Sequence, residues 1–231
     1  LWAGCHAVSA LESLTTFTNN GTTQNQAVRQ VILTGDTTFT GTLTISGGTV
    51  QLGSGGTTGS VATMTIVNNG TLDVNRSTLL TYAGDISGTG GVTISGSGGL
   101  SLTGTNTFSG AVTVASGNLT LDRDSCGADA DKTIAFGNIV NNSTITFALD
   151  EVGVTCTYPS VMSGTGGIVK TGASTLVFTG SNTYSGTTVV NGGTLRLGGS
   201  TGERIADTSA ISVGTGATFD VNGRSERVGS I

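Results

Sequence analysis

Leu102-Thr103-Gly104-Thr105-Asn106-Thr107-Phe108-Ser109-Gly110 and Phe178-Thr179-Gly180-Ser181-Asn182-Thr183-Tyr184-Ser185-Gly186 are nearly the same text written in two places. Leu33-Thr34-Gly35-Asp36-Thr37-Thr38-Phe39-Thr40-Gly41 is a weaker third copy. The last full copy is entered through Gly166-Gly167-Ile168-Val169-Lys170-Thr171-Gly172 and continues to Gly193-Thr194-Leu195-Arg196-Leu197. Short alternating segments separated by Gly, Ser, Asn and Thr, written three times, indicate a fold built by repetition.

The apolar residue that opens each short segment measures the period. It falls at Val31, Val50, Leu72, Leu100, Leu119, Ile145, Leu176, Leu195 and Phe219. The steps between them are roughly 20 to 30 residues, the length of one solenoid turn. Three small units make one large unit, and the large units succeed one another at roughly 70 to 75 residues. Their limits are 28–86, 87–162 and 163–231.

A unit of this size cannot bury a core alone. Its apolar residues occur in runs of three to five, too short for a helix and alternating as in a strand that shows one face to a core. A chain that coils at this period stacks each strand on its copy and pairs every backbone N–H and C=O along the axis. The expected fold is all-β, a parallel β-helix. Nine coils at about 4.8 Å each make a rod on the order of 40–45 Å long. The nine opening residues are its expected core ladder, with Leu72, Ile145 and Phe219 facing inward. Leu102 is expected in line with Phe178, and Leu121 with Leu197, with other coils between.

The runs Gly88–Leu121 and Gly164–Leu197 resemble the autotransporter-associated β-strand repeat of bacterial passenger domains. The shared pattern is Gly-Thr-Gly-Gly, then the motif quoted above, then Gly-x-Leu-x-Leu. With the degenerate copy and the diverged coils between, the resemblance covers residues 28–231. It implies a right-handed helix, secreted or held at the surface of a Gram-negative cell. It also implies export through an outer-membrane barrel domain of the same precursor, no segment of which is in these 231 residues. A structural passenger or stalk, adhesin-related and non-catalytic, is the implied role. Its partners would be a host or cell surface, or other copies of itself.

Composition narrows the alternatives. There are 39 Gly and one Pro, with 10% charged residues and 35% hydrophobic ones. The phase of the apolar positions argues against a disordered Gly/Ser chain. A net charge of −5 with nine Lys plus Arg provides no electrostatic footprint for nucleic acid. No apolar run approaches the roughly 18 residues of a membrane span.

Residues 1–27 lie outside the repeat. Ala7-Val8-Ser9-Ala10-Leu11-Glu12-Ser13-Leu14 has weak helical character and reads as part of an N-terminal capping segment over the first coil. Trp2-Ala3-Gly4-Cys5 departs from a lipobox at Trp2, and Ala7-Val8-Ser9-Ala10 resembles the end of a signal peptide. At the other end Gly229-Ser230-Ile231 aligns with Gly84-Asp85-Ile86, where another unit would start. The expectation is a slice of a longer array, and the alternative is a self-assembling β-helical filament subunit.

Candidate chemistry is sparse, and no cofactor is expected. Cys126 and Cys156, which flank the middle coil, form either a disulfide in an oxidising compartment or two buried thiols, with Cys5 left over. Asp122, Asp124, Asp129 and Asp131 are the candidate calcium ligands, but Cys126 stands where an EF-hand needs an oxygen, so a solvated loop is the plainer reading. His6 is the sole histidine, which leaves a serine triad or a zinc site without partners. Asp73 and Asp220 occupy equivalent outward positions. A carbohydrate-active enzyme would need clustered carboxylates and sugar-stacking aromatics. Tyr184 shares its place with Phe108 and Phe39, as an aromatic ladder would. Thr42-Leu43-Thr44, Thr63-Met64-Thr65 and Thr144-Ile145-Thr146 resemble ice-binding Thr-x-Thr arrays but do not recur at one phase.

Overall fold

The computed structural model describes residues 5–8, 16–20, 30–38, 40–62, 65–122, 131–134, 136–199 and 204–231. Described residues form 24 strands and no helix. All strand pairings are parallel, each strand lying on one from the next coil. The local cause is legible in Thr71-Leu72-Asp73-Val74, whose apolar residues are buried while the polar ones between them are half-exposed. β-branched and leucine side chains at a period of two suit a pleated, half-buried surface.

The coil has three faces. Face 1 is an eight-stranded sheet that runs from Cys5–Val8 through Thr71–Val74 and Gly91–Ile94 to Met162–Ser163. Face 2 is a seven-stranded sheet from Leu80–Tyr82 through Thr144–Ala148 to Ile211–Val213. Face 3 is shared by a four-stranded sheet ending at Asp85–Ser87 and a five-stranded one from Asp131–Thr133 to Thr218–Asp220. Both sheets of face 3 follow face 2 and precede face 1 along the chain. The result is a β-solenoid of about nine turns.

Inside, each face contributes a ladder. On face 1 Val31, Val50, Leu72, Val92, Val112, Ile139 and Met162 succeed one another in register. Face 2 stacks Leu80, Leu100, Leu119, Ile145 and Ile168. Face 3 stacks Cys156, Leu176, Leu195 and Phe219. The nine opening residues are therefore not one ladder. They divide into Val31, Val50 and Leu72 on face 1, Leu100, Leu119 and Ile145 on face 2, and the last three on face 3. The first eight are buried, and Phe219 is partly buried against the core.

The expected alignments of Leu102 with Phe178 and Leu121 with Leu197 fail for the same reason. Leu102 and Leu121 are adjacent on face 2, whereas Phe178 and Leu197 are adjacent on face 3. From Ile86 on face 3 to its sequence equivalent Met162 on face 1, the chain passes ten strand positions, which is three coils and a third. Each large repeat thus lands one face further round. The unit limits at residues 86 and 162 fall within the strands Asp85–Ser87 and Met162–Ser163.

Near the N-terminus, Cys5–Val8 pairs with Gln30–Leu33, and Thr16–Asn20 pairs with Thr42–Gly47. Ala7 and Val8, expected in a helix, are extended because backbone pairing to the coil beneath outweighs a weak local helical pattern.

Candidate functional site

The repeated motif builds a buried polar seam. Asn182 is 4% exposed; its Oδ1 accepts from the Met162 N–H of the preceding coil at 2.8 Å. Its Nδ2 donates to the Gly180 carbonyl at 3.3 Å and to the Arg204 carbonyl of the following coil at 2.7 Å. Asn106 repeats the arrangement, accepting from Ile86 N–H at 3.1 Å and donating to the Gly104 carbonyl at 2.8 Å. Glu226 takes the acceptor's part in a later coil, its Oε1 receiving Arg204 N–H and Ile205 N–H. The motif's Asn exists to satisfy backbone groups where the chain is turning and no ladder partner is available. Thr37, in the degenerate copy, is buried with its hydroxyl unpartnered.

A second kind of asparagine works beside the Ser-Gly-Thr-Gly-Gly turns. Asn68 and Asn141, both fully buried, donate to the carbonyls of Gly91 and Gly167 and accept from the N–H groups of Gly70 and Ser143. Gly88 and Gly164 have φ of +103° and +101°, and a Cβ there would sit 2.2 and 2.1 Å from the Asn68 and Asn141 carbonyl oxygens. Glycine is obligatory at both on conformational and steric grounds.

The motif's aromatics are interior. Tyr184 and Phe108 are fully buried, and Phe108 stacks on Phe136 with centroids 5.1 Å apart. The Tyr184 hydroxyl bonds to Thr188 Oγ1 at 2.6 Å, and burial pushes its pKa well above the ordinary tyrosine value. Neither ring is placed to stack on a sugar. Phe39 lies outside the described residues.

Lys170 is the residue that sequence reading missed. It occupies the inward slot between Phe147 and Val190 on face 2 and is fully buried. Its Nζ leaves the core to donate to the carbonyls of Thr171 at 2.6 Å, Gly172 at 2.9 Å and Gly192 at 3.3 Å, joining two turns at one corner. Burial pushes its pKa down to about 8, opposed by the charge of Asp150. The available signal was that Lys170 stands where the preceding copy has Ile94.

The carboxylates do not converge. Asp73, on face 1, accepts from the Ser95 hydroxyl at 2.7 Å, and partial burial raises its pKa. Asp220, on face 3, accepts from Arg196 Nε at 2.7 Å and from the Asn222 N–H, which lower its pKa. On different faces and many coils apart, they are no acid–base pair. Among the described residues, no group of three or more His, Cys, Asp or Glu is placed to hold a metal ion. Of the calcium candidates, Asp122 is half-buried, Asp124 and Asp129 lie outside the described residues, and Asp131 is described only in its backbone. The same is true of His6 and Cys5, while Cys126 lies outside. Cys156 faces the interior and is disulfide-bonded. The Thr-x-Thr segments are divided between faces 2 and 3, with Thr63 and Met64 outside the described residues. Among the described residues, no helix is long and apolar enough to cross a membrane.

Sequence comparison agrees with the repeat. The family model described as passenger-associated-transport-repeat matches residues 30–52, 92–121 and 168–197. The chain is 49% identical over 59 residues to the adhesin BmaC autotransporter of Brucella suis biovar 1 (strain 1330), a stretch that is 26% of this chain and 2% of that protein. The chain therefore spans a small fraction of that relative's length. No solved structure matches.

Proposed function

We propose, for a chain that carries the passenger-associated transport repeat of Gram-negative autotransporters, that these coils are a rigid, non-catalytic stalk within an adhesin-type passenger at the cell surface or secreted from it. Its partner in export would be an outer-membrane barrel of the same precursor. The observation that supports this reading is where the side chains point. The residues that define the motif, from Asn106 and Phe108 to Asn182 and Tyr184, are buried and occupied with neighbouring coils. What the buried residues of the motif repeat is the means of stacking. No pocket opens among the described residues. A continuous parallel ladder of this kind resists bending and local opening, because each coil is held by both neighbours.

The test is made in the full-length adhesin. Exchanging residues 30–231 for the same number of coils from an unrelated passenger is expected to preserve export and adhesion. Removing one coil, residues 92–111, is expected to preserve export while shortening the rod by about 5 Å. Saturable binding of the purified 1–231 chain to the target surface, lost together with adhesion in the exchange, would overturn the stalk reading in favour of a binding face.

A further inference from the structure

We infer that the bonding partner of Cys156 is Cys126, and that the bridge cross-links successive coils inside the solenoid. This inference concerns the chain's covalent structure and does not depend on the stalk reading. Cys156 carries a disulfide, and the sequence holds two other cysteines. Cys5 belongs to the strand Cys5–Val8 at one end of face 1. Seven strand steps separate that strand from Met162–Ser163, which directly follows the strand of Cys156. At about 4.8 Å per step the separation is on the order of 30 Å, against the ~7 Å between Cα atoms that a disulfide tolerates. Cys5 is out of reach.

Cys126 is not. It lies in the connection from Asn118–Asp122, on face 2, to Asp131–Thr133, on face 3. Asp131–Thr133 is paired directly with Thr155–Tyr158, in the register Lys132 to Cys156. Cys126 stands in sequence between Asp122 and Lys132, a few residues before the residue that pairs with Cys156. Leu195, Leu176 and Cys156 fill successive inward positions, so a bridge at Cys156 lies within the face 3 ladder. Its formation oxidises two thiols and transfers two electrons to the disulfide of a thiol–disulfide oxidoreductase, which leaves as the dithiol, as the oxidising periplasm provides.

The experiment is alkylation of the 1–231 chain, purified without reductant, followed by peptide mass mapping. A bridge between the peptides of Cys126 and Cys156 is expected, with Cys5 as the one alkylated site. Cys5→Ser is expected to lose all alkylation and keep the bridge. Cys126→Ser is expected to free Cys156, which reacts only after denaturant is added because its sulfur is buried. A bridge from Cys5 to Cys156, or three alkylated cysteines in the oxidised protein, would overturn the inference. A Cys126→Ser chain in which Cys156 reacts at full rate without denaturant would overturn the interior placement.

Discussion

Replacing Asn182 with alanine removes three hydrogen bonds at a position only 4% exposed. It leaves the Met162 N–H and the Arg204 carbonyl without their partners. Each buried orphan costs about 1–3 kcal/mol, so the loss is about 2–6 kcal/mol before any cavity contribution. A long repeat array does not always unfold as one unit, and a single global midpoint would dilute the effect. Amide hydrogen exchange resolved by mass spectrometry is therefore the assay. Faster exchange is expected in the peptides around residues 160–164, 180–184 and 204–206, with urea denaturation shifted to lower concentration. Thr183→Ala is the control, because Thr183 is exposed and its replacement should change stability by less than about 0.5 kcal/mol. If Asn182→Ala and Thr183→Ala gave the same exchange profile, the view that the motif's Asn joins three coils would be refuted.

Leu176→Asp puts an unpaired carboxylate into the face 3 ladder between Cys156 and Leu195, and should cost several kcal/mol; an unchanged thermal midpoint would contradict the register. Thr37→Asn should raise stability by about 1 kcal/mol by replacing the unpartnered hydroxyl with an amide able to reach the Gly35 carbonyl, as Asn106 reaches Gly104; differential scanning calorimetry reads the sign. Lys170 has a folded pKa of about 8 against an ordinary 10.5, so the unfolded chain holds the proton more tightly and stability rises from about pH 8 toward 10, by up to about 3 kcal/mol. Buried Tyr82, Tyr158 and Tyr184, whose pKa values are raised, reverse the trend above pH 10; denaturation followed between pH 7.5 and 9.5 should show the rise in the wild type and not in Lys170→Met.

The parallel β-solenoid was legible because stacking imposes a period, and a period survives divergence that erases individual residues. Leu72 and Ile145 are buried and Phe219 is partly so, since one face of each strand turns away from water. The assignment of faces was not legible. All three faces ask for the same short alternating segment, so Val31, Leu100 and Leu176 look alike in sequence while standing on three different sheets. What distinguishes them is the number of strand positions traversed, and several of these are so weakly apolar that they do not register as segments: Ile86 enters through Gly84-Asp85, and the rung at Asn106 is an amide. Lys170 was hidden for a related reason, since an ammonium in an inward slot reads as surface unless a turn of backbone carbonyls lies within the reach of its stem, and such a turn exists only once the coils are assembled. The polar parts of this fold, Asn182 and Lys170 above all, are intelligible only through the coil on either side of them. A sequence read strand by strand finds the ladders before it finds the groups that keep them in register.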